Sequence, residues 1–418
     1  MSQRPDTLFS DIPIIGEEEF IHATFINRER ELLIAKALFK PEQSKDQIYA
    51  VHGFSRVGKS HLAIKIGQDI SREHNLFYFY ASANLRGTAE DVLRALYDQI
   101  REAIQTLTPE PDPKTEQGEH YRFLKEYLAQ VNQLFMMPVA RIAVRHLQRA
   151  SEKIKPGFRL KVPFLDIGID LAGEKASGKD QEQTIELPKL DVNGIRLLLC
   201  SLLEMLAFVS GRGVLMLIDD LDLLEETSGG EEQRDQLINH LKQVAALASI
   251  AVWVTSRQQY FIERQKEMFN FIEVPFLKRE QLVAIYRARI KQYNGGDPVF
   301  TDEVLDMLAD GFRGIAGSFL YECFLFWRYH LGEPYPLGTT HLRDYLDDAV
   351  GSFLANPETR SIFVRIRKAV RARKAEITLK DVKKGHGLIY RVLIPKAYGQ
   401  NTYEIIPLFA RAILEDIG

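Results

Sequence analysis

An octapeptide in the first part of the chain has the residue types and spacing that bind phosphate. It fits the pattern G-x-x-x-x-G-K-[ST]. The glycines let backbone amides converge on phosphate oxygens, and a helix after the loop directs the positive end of its dipole at them. The lysine would reach the β- and γ-phosphates, and the serine would give Mg²⁺ a hydroxyl ligand. The candidate contacts are Gly53, Phe54, Ser55, Arg56, Val57, Gly58, Lys59, Ser60 and the adjacent His61.

The residues on either side of this loop suit a strand followed by a helix. Residues 48–51 are apolar, β-branched or aromatic, and residues 61–67 begin a helical pattern. Two histidines, His52 and His61, border the loop, where a single histidine is more often structural than a ligand. No Asn-Lys-x-Asp motif for binding guanine occurs. The loop and its flanks therefore predict a site for ATP or ADP with Mg²⁺.

Paired carboxylates follow a second apolar run. Residues 215–218 are apolar and lead into Asp219 and Asp220. Mg²⁺ takes oxygen ligands, so Asp219 would hold it directly or through water. Asp220 would orient or deprotonate the attacking water, with Asp222 as a lesser candidate. The alternative is an acid-rich helix start, which the helix dipole favours.

A third apolar run ends in two hydroxyl side chains and an arginine, at residues 252–257. The planar guanidinium of Arg257 could pair with phosphate oxygens in a bidentate manner. Stabilising charge on the transferring phosphoryl group is most of what phosphate-cleaving enzymes provide. A solvated arginine in a surface loop is the alternative. The predicted catalytic residues are Lys59, Asp219, Asp220 and Arg257.

The order of the predicted elements indicates an α/β fold. Strand-like runs, which alternate with helical patterns, occur at residues 48–51, 76–81, 214–218, 250–254 and 271–274. Such alternation favours a parallel sheet covered by helices on both faces. From residue 279 to about 332 the apolar spacing is three and four, which predicts helices. One helix face would carry Leu282, Ile285, Tyr286 and Ile290.

The length of 418 residues predicts more than one domain. The predicted units are a lead-in at 1–46, a nucleotide-binding core at 47–278, a helical lid at 279–339 and a small α+β domain at 340–418. A proline-rich break begins an insertion in the core at 107–190. Within it we predict a long amphipathic segment at 121–150, interrupted by Pro138, and strand-like runs at 158–162 and 167–171.

These motifs together resemble the additional-strand class of P-loop ATPases, in which a strand lies between the lysine motif and the aspartate motif. Residues 20–106 and 191–335 are similar to the STAND ATPases, which are signalling switches, and nearly as similar to the origin-recognition branch of the AAA+ proteins. The resemblance implies a P-loop parallel sheet, a helical lid, and binding and slow hydrolysis of ATP with Mg²⁺.

The resemblance also assigns two further arginines. Arg28 lies in a segment similar to the family's lead-in motif beside the adenine, with Asn27 where the family has glycine. Arg313 lies in a lid segment, residues 311–318, and could be a sensor arginine in the AAA+ manner. That segment lacks the proline of the STAND lid, whereas Thr255-Ser256-Arg257 matches STAND usage. The choice between STAND and AAA+ therefore stays open.

Basic residues are concentrated between residues 360 and 400. Twelve lysines and arginines face two acidic residues there, a local charge of +10 in a chain of net charge −3. Such asymmetry favours a polyanion partner. Two helical patterns followed by a hairpin resemble a winged-helix domain, with residues 378–384 as its recognition-type helix and Lys396, Tyr398 and Gln400 in the wing. This domain could either contact duplex DNA or pack against the nucleotide-binding core, and the sequence leaves both alternatives open.

Composition predicts a cytoplasmic protein without a membrane span. There are two cysteines, 45% hydrophobic and 27% charged residues, no run near the ~20 apolar residues of a membrane helix, and no signal-like start. The main hypothesis is an ATP-dependent switch that closes its lid and assembles, including as a homo-oligomer. One alternative is an ATP-regulated DNA-binding protein or loader. Another is a scaffold that docks a protein through residues 107–190.

Overall fold

The structure is a computed structural model. It describes residues 25, 28–40, 47–83, 88–107, 112, 114–136, 140–143, 184–187, 191–226, 230–247, 249–257, 269–293, 296–379, 392–395 and 402–415.

Seven strands and six helices lie in the described part of the chain up to residue 274. In chain order they are α1 (Glu29–Leu38), β1 (Ile48–Gly53), α2 (Lys59–Glu73), β2 (Phe77–Ser82), α3 (Ala89–Gln105), α4 (Glu116–Met136), β3 (Ala140–Ala143), β4 (Thr184–Leu187), α5 (Val192–Ser210), β5 (Val214–Asp219), α6 (Gly230–Ala245), β6 (Ile250–Arg257) and β7 (Phe269–Val274). A 3₁₀ turn, Leu221–Glu226, follows β5.

Five parallel strands form the central sheet in the order β2-β5-β6-β1-β7. Strand β6 lies between β1, which leads into the phosphate-type loop, and β5, which ends at Asp219. The predicted fold class is confirmed: the sheet is of the P-loop type with an additional strand, followed by helices and a small α+β unit. Parallel strands end at one edge of a sheet, so the loop, Asp219 and Arg257 meet at that edge.

Helices cover both faces of this sheet, which explains why the strands are nearly continuous apolar runs. On one face, side chains such as Met216 and Ile218 pack with α3, α5 and α6. On the other face, Leu215 and Leu217 pack with α1 and α2. The ring of Trp253 stacks on Tyr49 across β6 and β1, with centroids 4.7 Å apart. The alternation along each strand thus builds two separate cores.

Helix α5 differs from the expectation that no segment resembles a membrane helix. By length and composition, Val192–Ser210 could cross a membrane, and it is the only such helix in the described part of the chain. In the fold its leucines pack into the core beside α3, α4 and α6. Core burial accounts for its apolar composition.

The segment at 107–190 begins inside the core. Side chains of α4, including Tyr121, Leu124 and Leu128, are buried with α3 and α5. The amphipathic segment predicted over 121–150, with an interruption at Pro138, is helical as far as Met136, where α4 ends. Residues 140–143 form β3, which pairs antiparallel with β4. Pro138 in the sequence explains the break. The predicted strand-like runs at 158–162 and 167–171 lie outside the described residues.

Helices follow the central sheet, as predicted. The elements are α7 (Arg279–Tyr293), α8 (Asp302–Gly311), α9 (Ala316–Tyr329), α10 (Thr339–Ala355), α11 (Pro357–Arg371), β8 (Glu376–Thr378), β9 (Leu393–Pro395), β10 (Thr402–Ile405) and α12 (Pro407–Glu415). The predicted α7 face of Leu282, Ile285, Tyr286 and Ile290 is buried. One cluster of buried side chains runs from Leu277 to Ile413, so these helices and the small α+β unit share a core.

The small sheet has the order β8-β10-β9, and both pairings are antiparallel. The predicted pairing of the last two strands is confirmed. The predicted start of the recognition-type helix is wrong, because Thr378 ends β8 and Ile377 beside it is buried and paired with Tyr403. Residues 380–384 and the wing residues Lys396, Tyr398 and Gln400 lie outside the described residues.

Candidate functional site

The loop between β1 and α2 has the backbone of a phosphate cradle. Arg56 and Gly58 are left-handed, with φ of 63° and 99°. At Gly53, a Cβ would lie 2.7 Å from the carbonyl oxygen of Val274 in β7. A close approach thus requires glycine at position 53, and the positive φ favours glycine at position 58. Helix α2 begins at Lys59, so its first amides lie at the loop.

The Lys59 ammonium lies inside the loop. Its Nζ donates to the carbonyl oxygen of Phe54 at 2.9 Å, and the residue is 6% exposed. Burial lowers the pKa of Lys59, while Asp222, Asp220 and Asp219 raise it. The structure therefore brings the lysine of the loop and the carboxylates that follow β5 into one buried charge cluster.

The carboxylate of Asp219 is held from two sides. The Thr255 hydroxyl on β6 donates to its Oδ1, and the Tyr80 hydroxyl on β2 donates to its Oδ2 at 3.0 Å. Asp219 is 2% exposed. Sequence reasoning missed Tyr80. Its signal is a tyrosine near the end of a strand that neighbours β5, which only the strand order reveals.

Asp220 has a strained backbone and a perturbed carboxyl group. Its φ is 55°, and its amide donates to the Thr255 hydroxyl oxygen at 2.8 Å. Burial, followed by the charges of Asp219 and Asp222, raises the pKa of Asp220 from 3.8 to about 7. The positive charges of Lys59 and Arg257 lower this pKa, but by less. A carboxyl group with a pKa near neutrality suits a general base. Asp219 therefore accepts two hydrogen bonds, whereas Asp220 is suited to accept a proton.

The raised pKa of Asp220 predicts a pH-dependent gain in stability on substitution. A carboxyl group with a higher pKa in the folded state binds more protons there, so folding stability falls as pH rises between 3.8 and about 7. Asparagine does not ionise, so Asp220→Asn should raise the Tm of the nucleotide-free protein at pH 8 but not at pH 4. Thermal unfolding across this range measures the difference. An equal Tm difference at all pH values would contradict the burial of a charged Asp220.

Arg257 is placed against a carboxylate. Its Nε lies 3.0 Å from Asp222 Oδ2, and its amide donates to Asp222 Oδ1 at 3.2 Å. The Ser256 hydroxyl donates to the same Oδ1 at 3.1 Å. The predicted γ-phosphate contact (Arg257) and the lesser base candidate (Asp222) are thus paired with each other. The pair links the end of β6 to the turn after β5.

The Arg28 side chain contacts the backbone of the phosphate-type loop. Its Nη2 donates to the carbonyl oxygen of Val57 at 3.0 Å, and Arg28 is buried. Nearby, the rings of Phe25 and His61 are nearly parallel, with centroids 6.5 Å apart. A role for Arg28 and His61 beside the adenine remains a prediction.

The helical lid contacts the phosphate-type loop through Gly317. The Gly317 amide, at the start of α9, donates to the Arg56 carbonyl oxygen at 2.8 Å, and a Cβ there would lie 3.0 Å from Arg56 Cβ. The Arg56 guanidinium lies 5.6 Å from the ring centroid of Tyr321. Arg313, by contrast, pairs with Glu404 on β10. The predicted sensor arginine therefore contacts the small sheet in this state.

The donor set fits Mg²⁺ bound with a nucleotide. Ser60 and Asp219 offer a hydroxyl and a carboxylate, and no group of three or more His, Cys, Asp or Glu in the described ranges could hold a metal ion. Mg²⁺ keeps several waters and is usually held by one or two carboxylates and substrate phosphates. The residues therefore suit an ion that arrives with a polyphosphate.

No protein-family model and no curated protein matches the sequence. Solved structures resemble the chain at low identity. The ORC2 protein of Aeropyrum pernix in its ADP form is 11% identical with a TM-score of 0.46, covering 98% of this chain and 96% of that one. Cdc6p of Pyrobaculum aerophilum is 10% identical with a TM-score of 0.45, covering 99% of both. The Aeropyrum pernix ORC1 protein in complex with DNA is 14% identical with a TM-score of 0.45, covering 96% and 95%.

Proposed function

We propose that the chain binds ATP with Mg²⁺ at residues 53–60, hydrolyses it slowly, and acts in the cytoplasm as a molecular switch. The observation that carries this proposal is the buried Lys59 ammonium among the carboxylates of Asp219, Asp220 and Asp222. Buried charges need partners. A polyphosphate with its metal ion supplies both negative and positive charge, since the phosphates would bind Lys59 and the metal would bind Asp219. Equilibrium binding of ATP and phosphate release by the full chain test the proposal.

Each site residue has a separate role in the proposed hydrolysis. Loop amides and Lys59 bind the phosphates, and Ser60 and Asp219 would hold Mg²⁺, which neutralises phosphate charge when bound. Asp220 accepts a proton from water as the water oxygen bonds to the γ-phosphorus. The bond between that phosphorus and the bridging oxygen breaks, and ADP leaves with the electron pair. Arg257 would have to leave its carboxylate partner to reach a phosphate.

Contacts of the lid support a switch. Gly317 binds the loop backbone directly, and Arg313 on the same lid pairs with Glu404 of the small sheet. A change in the loop on ATP binding would therefore pass through the lid to residues 340–415. This transmission through the lid is compatible with membership of either the STAND ATPases or the origin-recognition branch.

Hydrodynamic size with ADP, ATP and a slowly hydrolysed analogue tests the switch. We expect ATP and the analogue, but not ADP, to promote assembly of the full chain into a homo-oligomer. Gly317→Val should weaken this response, because its side chain would push the lid from Arg56. The control is Gly351→Val on α10, where a Cβ has nothing within 4 Å. One size in all nucleotide states would contradict the switch.

We propose duplex DNA as a second candidate partner, because the chain has an exposed basic surface. The exposed basic residues on and after α11 are Arg360, Arg365, Lys368, Arg371, Arg373 and Lys374. Exposed positive charges on one helix and on the residues after it suit the DNA backbone. The antiparallel β8-β10-β9 sheet beside α11 supports a winged-helix assignment of this unit.

Reversing charge on α11 should weaken DNA binding in a salt-dependent way. We expect Lys368→Glu/Arg371→Glu to reduce the slope of log affinity against log salt by about 1 for each DNA phosphate that the variant no longer neutralises. Lys278→Glu/Lys291→Glu, which changes one exposed lysine just before α7 and one on it, is the matched control. Fluorescence anisotropy of a labelled duplex gives both slopes. No binding by the wild-type chain at low salt would exclude DNA.

A protein partner at residues 107–190 is a third candidate. Side chains such as Leu124 and Leu128 of α4 pack in the core, so the docking surface is proposed for the rest of the segment. Strands β3 and β4 pair antiparallel, so a short turn can replace residues 144–183 while the pair is kept. We expect this deletion to retain ATP binding and to lose partner capture. Unchanged capture would contradict the docking hypothesis.

A further inference from the structure

The hydrogen bond between Tyr80 and Asp219 has no role of its own in the proposed hydrolysis. Strands β2 and β6 flank β5, and each holds one oxygen of the Asp219 carboxylate: Tyr80 binds Oδ2 at 3.0 Å and Thr255 binds Oδ1. We propose that Tyr80 is a positioning residue for Mg²⁺, which fixes the Asp219 carboxylate in the orientation that receives the metal or its water. This inference rests on the proposed ATP site.

The sheet register makes this contact a consequence of the fold. Tyr80 pairs with Leu217, two residues before Asp219, and alternate residues of a strand share a face. Diagonal neighbours on adjacent strands are within reach of long aromatic side chains. Tyr80 and Asp219 thus meet on the face that packs against α2, which starts with Lys59 and Ser60.

The two hydrogen bonds leave the carboxylate able to bind a metal. An ionised carboxylate has about four acceptor positions, and these donors take one on each oxygen. Each oxygen therefore keeps a further position for Mg²⁺ or for a metal-bound water. Asp219 is 2% exposed, so protein donors rather than bulk water set its orientation. Donors that orient a metal ligand typically change metal affinity by about 10–100-fold when removed.

Tyr78 provides a matched control on the same face of β2. Its hydroxyl is buried and, in the part of the chain that the structure describes, makes no hydrogen bond. Its ring packs against Gly67 of α2. Tyr78→Phe therefore removes a hydroxyl beside the site without removing a bond to Asp219.

The experiment measures the Mg²⁺ dependence of nucleotide binding by the full chain. A fluorescent ATP analogue is titrated with protein in EDTA and then at increasing Mg²⁺. We expect Tyr80→Phe to raise the Mg²⁺ concentration for half-maximal enhancement of binding about tenfold. Its affinity for the analogue in EDTA should equal that of the wild type, since the hydrogen bond that is removed goes to Asp219 and not to a phosphate-binding residue. Tyr78→Phe should behave as the wild type in both conditions.

Equal Mg²⁺ dependence in the two variants would overturn the inference, because the bond to Asp219 would then have no effect on the metal. A lower Mg²⁺ requirement in Tyr80→Phe would also overturn it, since Tyr80 would be competing with the metal. Failure of the wild-type chain to bind nucleotide is a separate result, which would refute the ATP site itself. Urea unfolding of both variants checks that the comparison is made on folded protein.

Discussion

Lys59→Ala is expected to lower the affinity of the chain for ATP by at least about 100-fold. Charge-assisted hydrogen bonds from one ammonium to two phosphates contribute about 3 kcal/mol, which corresponds to that factor. The substitution also leaves three neighbouring carboxylates without their buried counter-charge, so the site would repel a polyphosphate. Isothermal titration of the full chain with ATP and Mg²⁺ measures the loss.

Lys65→Ala is the matched control for this variant. Lys65 lies on the same helix, is also buried, and pairs with Asp69 at 2.5 Å. Its removal should lower stability and leave ATP affinity unchanged. If Lys59→Ala bound ATP as tightly as Lys65→Ala, the assignment of residues 53–60 to phosphate would be wrong.

Asp220→Asn is expected to hold ATP and to hydrolyse it at least about 100-fold more slowly. A positioned general base contributes about 10²–10⁴-fold to a rate, and asparagine cannot accept the proton from water. The side chain is isosteric, and Lys59 and Asp219 are unchanged, so nucleotide binding should survive. Single-turnover phosphate release together with equilibrium binding separates the two effects.

Asp222→Asn tests whether the proton acceptor has been assigned to the correct carboxylate. Asp222 is paired with Arg257 and accepts from Ser256, so its loss should loosen the end of β6 and lower stability. Hydrolysis at the normal rate by Asp220→Asn, with loss only in Asp222→Asn, would transfer the role of base to Asp222.

The sequence was sufficient for the central sheet and for the loop. Each predicted strand of that sheet is present, because strands buried on both faces must be short apolar runs. The phosphate-type loop was predictable because its residue pattern is contiguous and the positive φ at Gly58 is a local reason for glycine. The reason for glycine at position 53, a close approach to Val274 on β7, was visible only in the fold. Asp219 lies at the same sheet edge because parallel strands share the direction of their ends.

Partners distant in sequence were not predictable. Tyr80 and Asp219 are 139 positions apart, and Arg313 and Glu404 are 91 positions apart. Only the order of the strands and the packing of the lid bring such pairs together. Thr378, the last residue of β8, was mistaken for a helix start because a strand of three residues carries too little periodicity to be recognised.

A structure of the chain with Mg²⁺ and a non-hydrolysable ATP analogue tests the central claim most directly. We predict that the phosphates lie within hydrogen-bond distance of the loop amides and of Lys59 Nζ, which exchanges its bond to the Phe54 carbonyl oxygen for bonds to them. The metal should lie between the phosphates, Ser60 and Asp219. An analogue bound elsewhere, with the bond from Lys59 to Phe54 intact, would contradict the account.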